Sequence, residues 1–367
     1  MTLIIKEGVG APMRTVEHTR QGEAAQVLTL REEPRRPAPG PGPGPGPGPG
    51  EVLVRLLVRP VHPGDLVGVE GMPGQPEQES EQQSAARIPG VEGMGVVESV
   101  GTGVHAPRPG QRVAVFPAPG TWSDFVVVPA ALAVPVPDGV SDETAALMLV
   151  NPLTLRMLYR ALEDALRGRK GSVLQTAAGS SVGRLVSAAA DRHGLELINL
   201  VRSTSGAGKV RTLHPSQPVI STCDHDWQGQ VRRHAGARGV QVVLDSVGGA
   251  MTLELSGLLA DGGTLVSYGQ LGSGTTPLEA LPLVARGLTV RGVSILHWMS
   301  RTAEERAQDV AFAQDLARST PDLLQVAGSY DLADFKAAVA HARRPGKSGT
   351  VLLTTPLTAD SGQGAAR

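Results

Sequence analysis

One stretch of this chain has the residue types and order needed to hold a phosphate. The apolar run SVLQT (172–176) passes into seven small residues, AAGSSVG (177–183), and then directly into the apolar helical pattern VGRLVSAAA. A strand, a tight turn and a helix start present unpaired backbone amides and the positive end of the helix dipole to an anion, an arrangement suited to a pyrophosphate. Against G-x-G-x-x-G the glycine positions fall on Ala178, Ser180 and Gly183, so only the last is kept; Gly179, Ser181 and Val182 complete the turn. A packing turn without a ligand is the competing reading. Nineteen residues after Gly183 comes Arg202, within INLVRSTS and beside Ser203 and Ser205. An acid here would take the ribose diol of NAD, whereas a guanidinium with neighbouring hydroxyls suits the 2′-phosphate of NADP. NADP(H) is therefore the expected cofactor, the alternative being an ordinary solvated arginine at a strand end.

Positioning these groups requires alternating strands and helices, and the second half of the chain supplies them. Apolar runs at 172–176, 195–201, 241–246, 264–268 and 288–295 read as strands, separated over the first four by helical patterns at 182–193, 227–235 and 251–259. Such alternation predicts parallel βαβ units in a doubly wound Rossmann sheet. Helical spacing at 142–149 and 152–166 precedes it, with Ser141 or Asp142 able to cap the first and Pro152 suited to the first position of the second. A helix at 303–318 follows, then a helical segment at 332–343 and a strand at 350–353 that needs a sheet to join. The short Val-rich runs of 88–137, punctuated by Gly and Pro, predict a barrel-like β domain. Before them, 25–31 and 51–58 read as strands flanking six Pro-Gly pairs (39–50), which look like an overgrown hairpin connection; a partner-binding polyproline segment is the alternative. Residues 74–87, rich in Gln and Glu, read as a mobile loop. The expected domains are 1–148 with 320–357, and 149–319, with 358–367 a disordered tail.

Composition narrows the function classes. The 367 residues include 34 Lys and Arg against 35 Asp and Glu, a net charge of -1, so no global field attracts nucleic acid or anionic lipid. No apolar run approaches the ~18 residues of a membrane span, and the first twenty residues lack a secretory core, so a cytoplasmic location is expected. Cys223 is the single cysteine, excluding an internal disulfide and any zinc site built on two thiolates, while a His/Asp/Glu site stays open.

Several motifs together resemble the zinc-independent medium-chain dehydrogenase/reductases, and among them enoyl-thioester reductases of the mitochondrial type more than quinone oxidoreductases. RTVEH, HPGDL (62–66), PGVEGMGVVESVG (89–101) and PGQRVAVF (109–116) are similar to the family's GroES-like (chaperonin-10-like) N-terminal domain. GTW (120–122), NPLT (151–154), INLVR, SVGG (246–249) and GGTLVSYG (262–269) are similar to enoyl-reductase signatures. The resemblance implies an α/β fold of a Rossmann domain plus a GroES-like β-barrel, an NADPH-dependent reductase with its small-molecule substrate in a cleft between the domains, and a homodimer pairing strands at 288–295. It places Thr154 near the nicotinamide ribose, Ser246, Gly248, Tyr268 and Gly269 in the cofactor cradle, and Trp122, His297 and Trp298 at the substrate pocket. For each tryptophan a core position is the competing reading, and for Thr154 a helix cap. Zinc-bearing relatives carry Cys where His62 stands and His where Val91 stands, so catalytic zinc is not expected. The tyrosine that donates a proton in the family is replaced: its position falls on Pro73. Protonation then comes from water or from His62 or Asp65, for which a solvated histidine and a turn residue are the bland readings. The alternatives at the level of function are an NADPH-binding regulatory or interaction protein of the same fold, and a zinc alcohol dehydrogenase.

Overall fold

A computed structural model of the protein describes residues 12–34, 46–71, 85–272 and 274–356. Most of the Pro-Gly repeat and of the loop at 74–87, Pro73, and the tail from 358 lie outside the described residues.

The N-terminal part runs β1 (Met13–Glu17), α1 (Ala24–Val27), β2 (Thr29–Glu33), β3 (Glu51–Val61), α2 (Pro63–Glu70), β4 (Gly93–Val100), β5 (Arg112–Val115), β6 (Phe125–Pro129), β7 (Ala133–Pro135) and α3 (Asp142–Ala145). The first half of β3 alternates, and Val52, Val54 and Leu56 point into a core shared with Val97, Val113, Val115 and Val126. That alternation is why a chain so rich in valine settles here as strands.

Next come α4 (Val150–Leu166), β8 (Ser172–Gln175), α5 (Ser181–His193), β9 (Leu197–Val201), α6 (Thr204–Leu213), β10 (Val219–Ser221), α7 (Trp227–Ala235), β11 (Val240–Asp245), α8 (Ala250–Ser256), β12 (Leu259–Ser267), α9 (Ala280–Arg286) and β13 (Thr289–Gly292). The six strands form one parallel sheet in the order β10-β9-β8-β11-β12-β13. Numbered within the domain this is 3-2-1-4-5-6, the doubly wound order whose switch point lies between the first and fourth strands, here β8 and β11. β8, β9 and β11 are buried at every position, as a sheet covered on both faces demands.

The chain then returns through α10 (Ala303–Ser319), β14 (Val326–Asp331), α11 (Phe335–Ala342) and β15 (Thr350–Thr354). β15 lies antiparallel to β3 and parallel to β14, so the last strand joins the N-terminal sheet, whose order is β14-β15-β3-β4-β5-β7 with β6 also on β3.

Several expectations need correction. Residues 25–31 are not one strand: AAQV forms a helical turn that buries Ala24, Val27 and Leu28 against Phe335 and Val339. The following β2 pairs with β1 and not with β3, so no hairpin spans the Pro-Gly repeat. The first central helix stops at Ala145, capped by Ser141, whose hydroxyl accepts from the Thr144 amide. Helix α4 starts at Val150, which puts Pro152 at its third position; no intrahelical bond is lost there, because first-turn amides have no partner within the helix.

Candidate active site

The phosphate turn is held by backbone sterics and by neighbouring strands. Ser180 caps α5, its hydroxyl accepting from the Gly183 amide at 3.1 Å. A Cβ at Gly183 would lie 2.5 Å from the Ala177 carbonyl oxygen and 2.8 Å from the Ala178 Cα, so the last glycine of the pattern is required for strand, turn and helix to meet. Ala177 takes a left-handed conformation at φ 48°. Ala178 is fully buried against Val201, Ala207 and Val210; it packs the turn onto β9, and its amide bonds the Leu200 carbonyl. Gly179, Ser180, Ser181 and Val182 are partly exposed.

The adjacent strand ends complete a crevice at the switch point. Thr176 donates to Asp245 at 3.0 Å and accepts from the Ser246 amide at 3.0 Å, tying β8 to β11. Buried Asp245 also accepts from the amides of Val247 and Gly248 and from Thr252, and its carbonyl receives the Tyr268 amide. Ser246, Gly248, Tyr268 and Gly269 therefore follow the ends of β11 and β12, on the side of the sheet edge where β8 runs into the turn. The hydroxyls of Ser246 and Tyr268 are buried, and burial pushes the Tyr268 phenol up to about 12 against the lowering influence of Ser246. At the end of β9, Ser203 caps α6 by accepting from the Gly206 amide, while the Arg202 side chain stands exposed with no acidic partner among the described residues.

A second cluster sits where the N-terminal sheet meets α4. His62 precedes α2, and Asp65 in the first turn accepts from the His62 amide at 2.8 Å. The His62 Nε2 lies 2.6 Å from Glu92 Oε2, and Glu92 Oε1 accepts from the amides of Leu149 and Val150, both at 2.8 Å. Glu92 is completely buried, so its charge is held by an imidazole on one side and a helix N-terminus on the other. Burial opposes the imidazolium of His62, but the Glu92 hydrogen bond and charge outweigh it and the pKa is raised. Burial pushes the Asp65 carboxyl up to about 6, against the lowering influence of His62, and its Oδ1 is buried without a partner. His62 is buried and not a solvated histidine, whereas Asp65 does take a capping place in the first turn of α2, the turn role of its competing reading.

Other candidates lie elsewhere. The Thr154 hydroxyl donates to the Val150 carbonyl four residues back at 2.7 Å, a bond within α4 and not the helix cap of the competing reading, since α4 begins after Leu149. Trp122 is fully buried in the core beside Val61 and Leu66. Trp298 packs on Phe116 with ring centroids 6.0 Å apart and donates to Asp309, on which Arg156 and Arg160 also converge. Both tryptophans thus take core positions and His297 is exposed, so the structure does not gather the three into one pocket. Sequence reasoning does not single out Glu92; a charged residue inside an otherwise apolar run such as PGVEGMGVV is the available signal for it. Among the described residues no group of three His, Cys, Asp or Glu is arranged for a metal ion, and no helix is long and apolar enough to cross a membrane.

Comparison with known proteins agrees with this architecture. Residues 48–138 match the family model of the alcohol dehydrogenase GroES-like domain, and residues 181–313 that of zinc-binding dehydrogenase. The mitochondrial enoyl-[acyl-carrier-protein] reductase of Caenorhabditis elegans is 31% identical over 257 residues, covering 68% of this chain and 69% of that protein. The chain belongs to the medium-chain dehydrogenase/reductase superfamily. Within the superfamily, the bovine mitochondrial enoyl-[acyl-carrier-protein] reductase is 28% identical over 309 residues, covering 83% of this chain and 80% of that protein. Two solved superfamily structures cover 94% of this chain and are themselves covered completely: a mycobacterial protein complexed with NADPH (29% identical, TM-score 0.76) and a mycobacterial quinone oxidoreductase (28%, TM-score 0.72).

Proposed function

We propose that the protein is an NADPH-dependent reductase that delivers a hydride to an activated C=C bond or a quinone, with enoyl thioesters, enones and quinones as substrate classes, and without catalytic zinc. The observation that carries the reading is the exposed, unpaired guanidinium of Arg202 beside the α5 phosphate turn, where an NAD enzyme would present an acid. The turn fits the cofactor: Gly183 leaves no room for a side chain, and the amides opening α5 face the crevice at the switch point. NADPH in the similar mycobacterial structure supports the cofactor, and the named activities of the relatives support the substrate classes.

When bound, NADPH supplies the hydride. The chain positions it: the turn at 177–183 takes the diphosphate, Arg202 and Ser203 the 2′-phosphate, and Ser246, Gly248, Tyr268 and Gly269 border the crevice. Thr154 holds the first turn of α4. His62 is the proton source, its imidazolium favoured by the hydrogen bond and charge of Glu92, with Asp65 fixing the backbone that carries it. The same pairing supports a zinc-free site, since the His62 Nε2 and both oxygens of Glu92 are already engaged. The test is NADPH oxidation against enones, quinones and enoyl thioesters. Binding of NADPH with no turnover of any class would replace this reading with that of a regulatory protein.

The homodimer belongs to the same proposal. β13 ends the parallel sheet with every residue exposed, and the neighbouring α9 presents Leu281 (77% exposed) and Val284 (80%). Such an apolar patch beside an open strand edge favours a second copy. Light scattering should give a dimer mass for the native chain and a monomer mass for Leu281→Glu with Val284→Glu; a native monomer would exclude it.

A further inference from the structure

Inside the parallel sheet runs a line of buried amides that the preceding reading leaves unused. β8 enters the turn through Val173, Leu174 and Gln175, all fully buried, and a strand covered on both faces would ordinarily place a third aliphatic at 175. The Gln175 side chain instead lies under the first turns of α5. Its Nε2 stands 3.0 Å from the Gly183 carbonyl oxygen, 2.9 Å from Ser187 Oγ and 2.6 Å from Asn199 Oδ1. Asn199 on β9, also fully buried, donates to Gln217 Oε1 at 2.8 Å, and Gln217 donates to the Ser187 carbonyl (2.7 Å) and to Asp191 Oδ1 (2.8 Å). The carbonyls of Gly183 and Ser187 can only accept, so they fix the direction of every amide between them. Three side-chain amides thus run head to tail from Asp191 to Gly183.

Stability does not explain the glutamine. Without it the Gly183 carbonyl keeps its bond within α5, and Asn199 Oδ1 keeps the Ser187 hydroxyl at 3.0 Å. With it, Gln175 Oε1 is buried and has no partner among the described residues, which an apolar side chain of the same shape would avoid. What Gln175 does control is the helix start. A Cβ at Gly183 would lie 2.5 Å from the Ala177 carbonyl oxygen, so turn and helix already meet at contact distance, and a small shift of Gly183 moves the amides that open α5. We infer that Gln175 is a positioning residue: it fixes Gly183 relative to β8 and, through Asn199, ties that point to β9, the strand that ends beside Arg202. The inference rests on the proposed cofactor reading. It assigns the spacing between the turn and Arg202, the two points at which NADP is gripped, to a side chain that touches no part of the nucleotide.

The experiment measures binding of NADP+ and of adenosine 2′-phosphate to the full chain, Gln175→Met and Gln175→Glu by calorimetry, with the melting temperature of each free protein. Methionine keeps the volume without a donor; glutamate, held neutral by burial, keeps one O–H for the Gly183 carbonyl. A neutral hydrogen bond corresponds to roughly 3- to 10-fold in affinity. Gln175→Met should bind NADP+ that much more weakly and melt close to the native chain. It should bind adenosine 2′-phosphate unchanged, because a ligand gripped at one point does not sense the spacing between two. Gln175→Glu should recover most of the NADP+ affinity. Native-like NADP+ binding by Gln175→Met, an equal loss for both ligands, or a variant that no longer folds would overturn the inference, the last two by assigning Gln175 to the fold. If the native chain itself takes up no NADP+, it is the cofactor reading that fails, and the inference falls with it.

Discussion

Replacing Asp65 by Asn tests the second cluster most directly. The carboxyl is pushed up from 3.8 to about 6 by burial, and its Oδ1 has no partner. Raising the carboxyl from 3.8 to about 6 corresponds to roughly 3 kcal/mol between the neutral and ionised forms. The sign follows from linkage. A folded value above the unfolded one gives stability that is fully present below pH ~4 and is lost as pH rises through 6. Asparagine keeps the acceptor for the His62 amide and stays neutral, and its unpaired amide hydrogens match the unpaired hydroxyl of the protonated acid. Near pH 4 the two proteins should therefore be about equally stable, and by pH 7.5 the variant should be more stable by up to roughly 3 kcal/mol, several degrees in melting temperature. His62 adds a slope of the same sign to both proteins: its raised value gives stability below 6.5 that fades at higher pH. Denaturant unfolding of both proteins from pH 4.5 to 8, with turnover measured in parallel, checks this. Greater stability with slower turnover marks a carboxylate kept for function at the expense of stability. A variant less stable at every pH, or a difference that does not change with pH, would refute the reasoning.

Glu92→Gln removes the charge that supports the His62 imidazolium and that satisfies the α4 amides. The imidazole should then titrate lower, the alkaline limb of the rate profile should move to lower pH, and stability should fall by about 3 kcal/mol, as when one partner of a buried pair is removed; an unmoved limb would take His62 out of the proton transfer. Arg202→Glu should reduce the NADP+ over NAD+ preference by roughly 100-fold or more in direct binding, from loss of a charged hydrogen bond and gain of like-charge repulsion. An unchanged preference would place the 2′-phosphate elsewhere.

Hydrophobic periodicity showed the doubly wound sheet and the β-rich domain because both are built from runs of valine, leucine and isoleucine with unambiguous period. The elements it missed lack that signal. α6 (TSGAGKVRTL) buries only Ala207 and Val210 and contains two glycines, and β10 is three residues long. AQVLTLR (25–31) reads as a strand because Leu28 and Leu30 alternate, yet its first residues are helical through packing on α11, a contact more than 300 residues away that no local window contains. In the site, the phosphate turn and Arg202 were legible because spacing within one βαβ unit defines them. Glu92 was not, since its partners, the amides of Leu149 and Val150 and the imidazole of His62, are distant in sequence.

The place of β15 has a consequence for synthesis. This strand fills the gap between β14 and β3, and it is assembled after the whole parallel sheet. Until the ribosome has released it, the last residues of β3 (58–61) and the facing edge of β14 offer bare hydrogen-bonding groups to any extended chain nearby. Trimming the protein from its carboxyl end past Thr350 should therefore harm solubility well before it harms the nucleotide fold, whose strands all lie upstream.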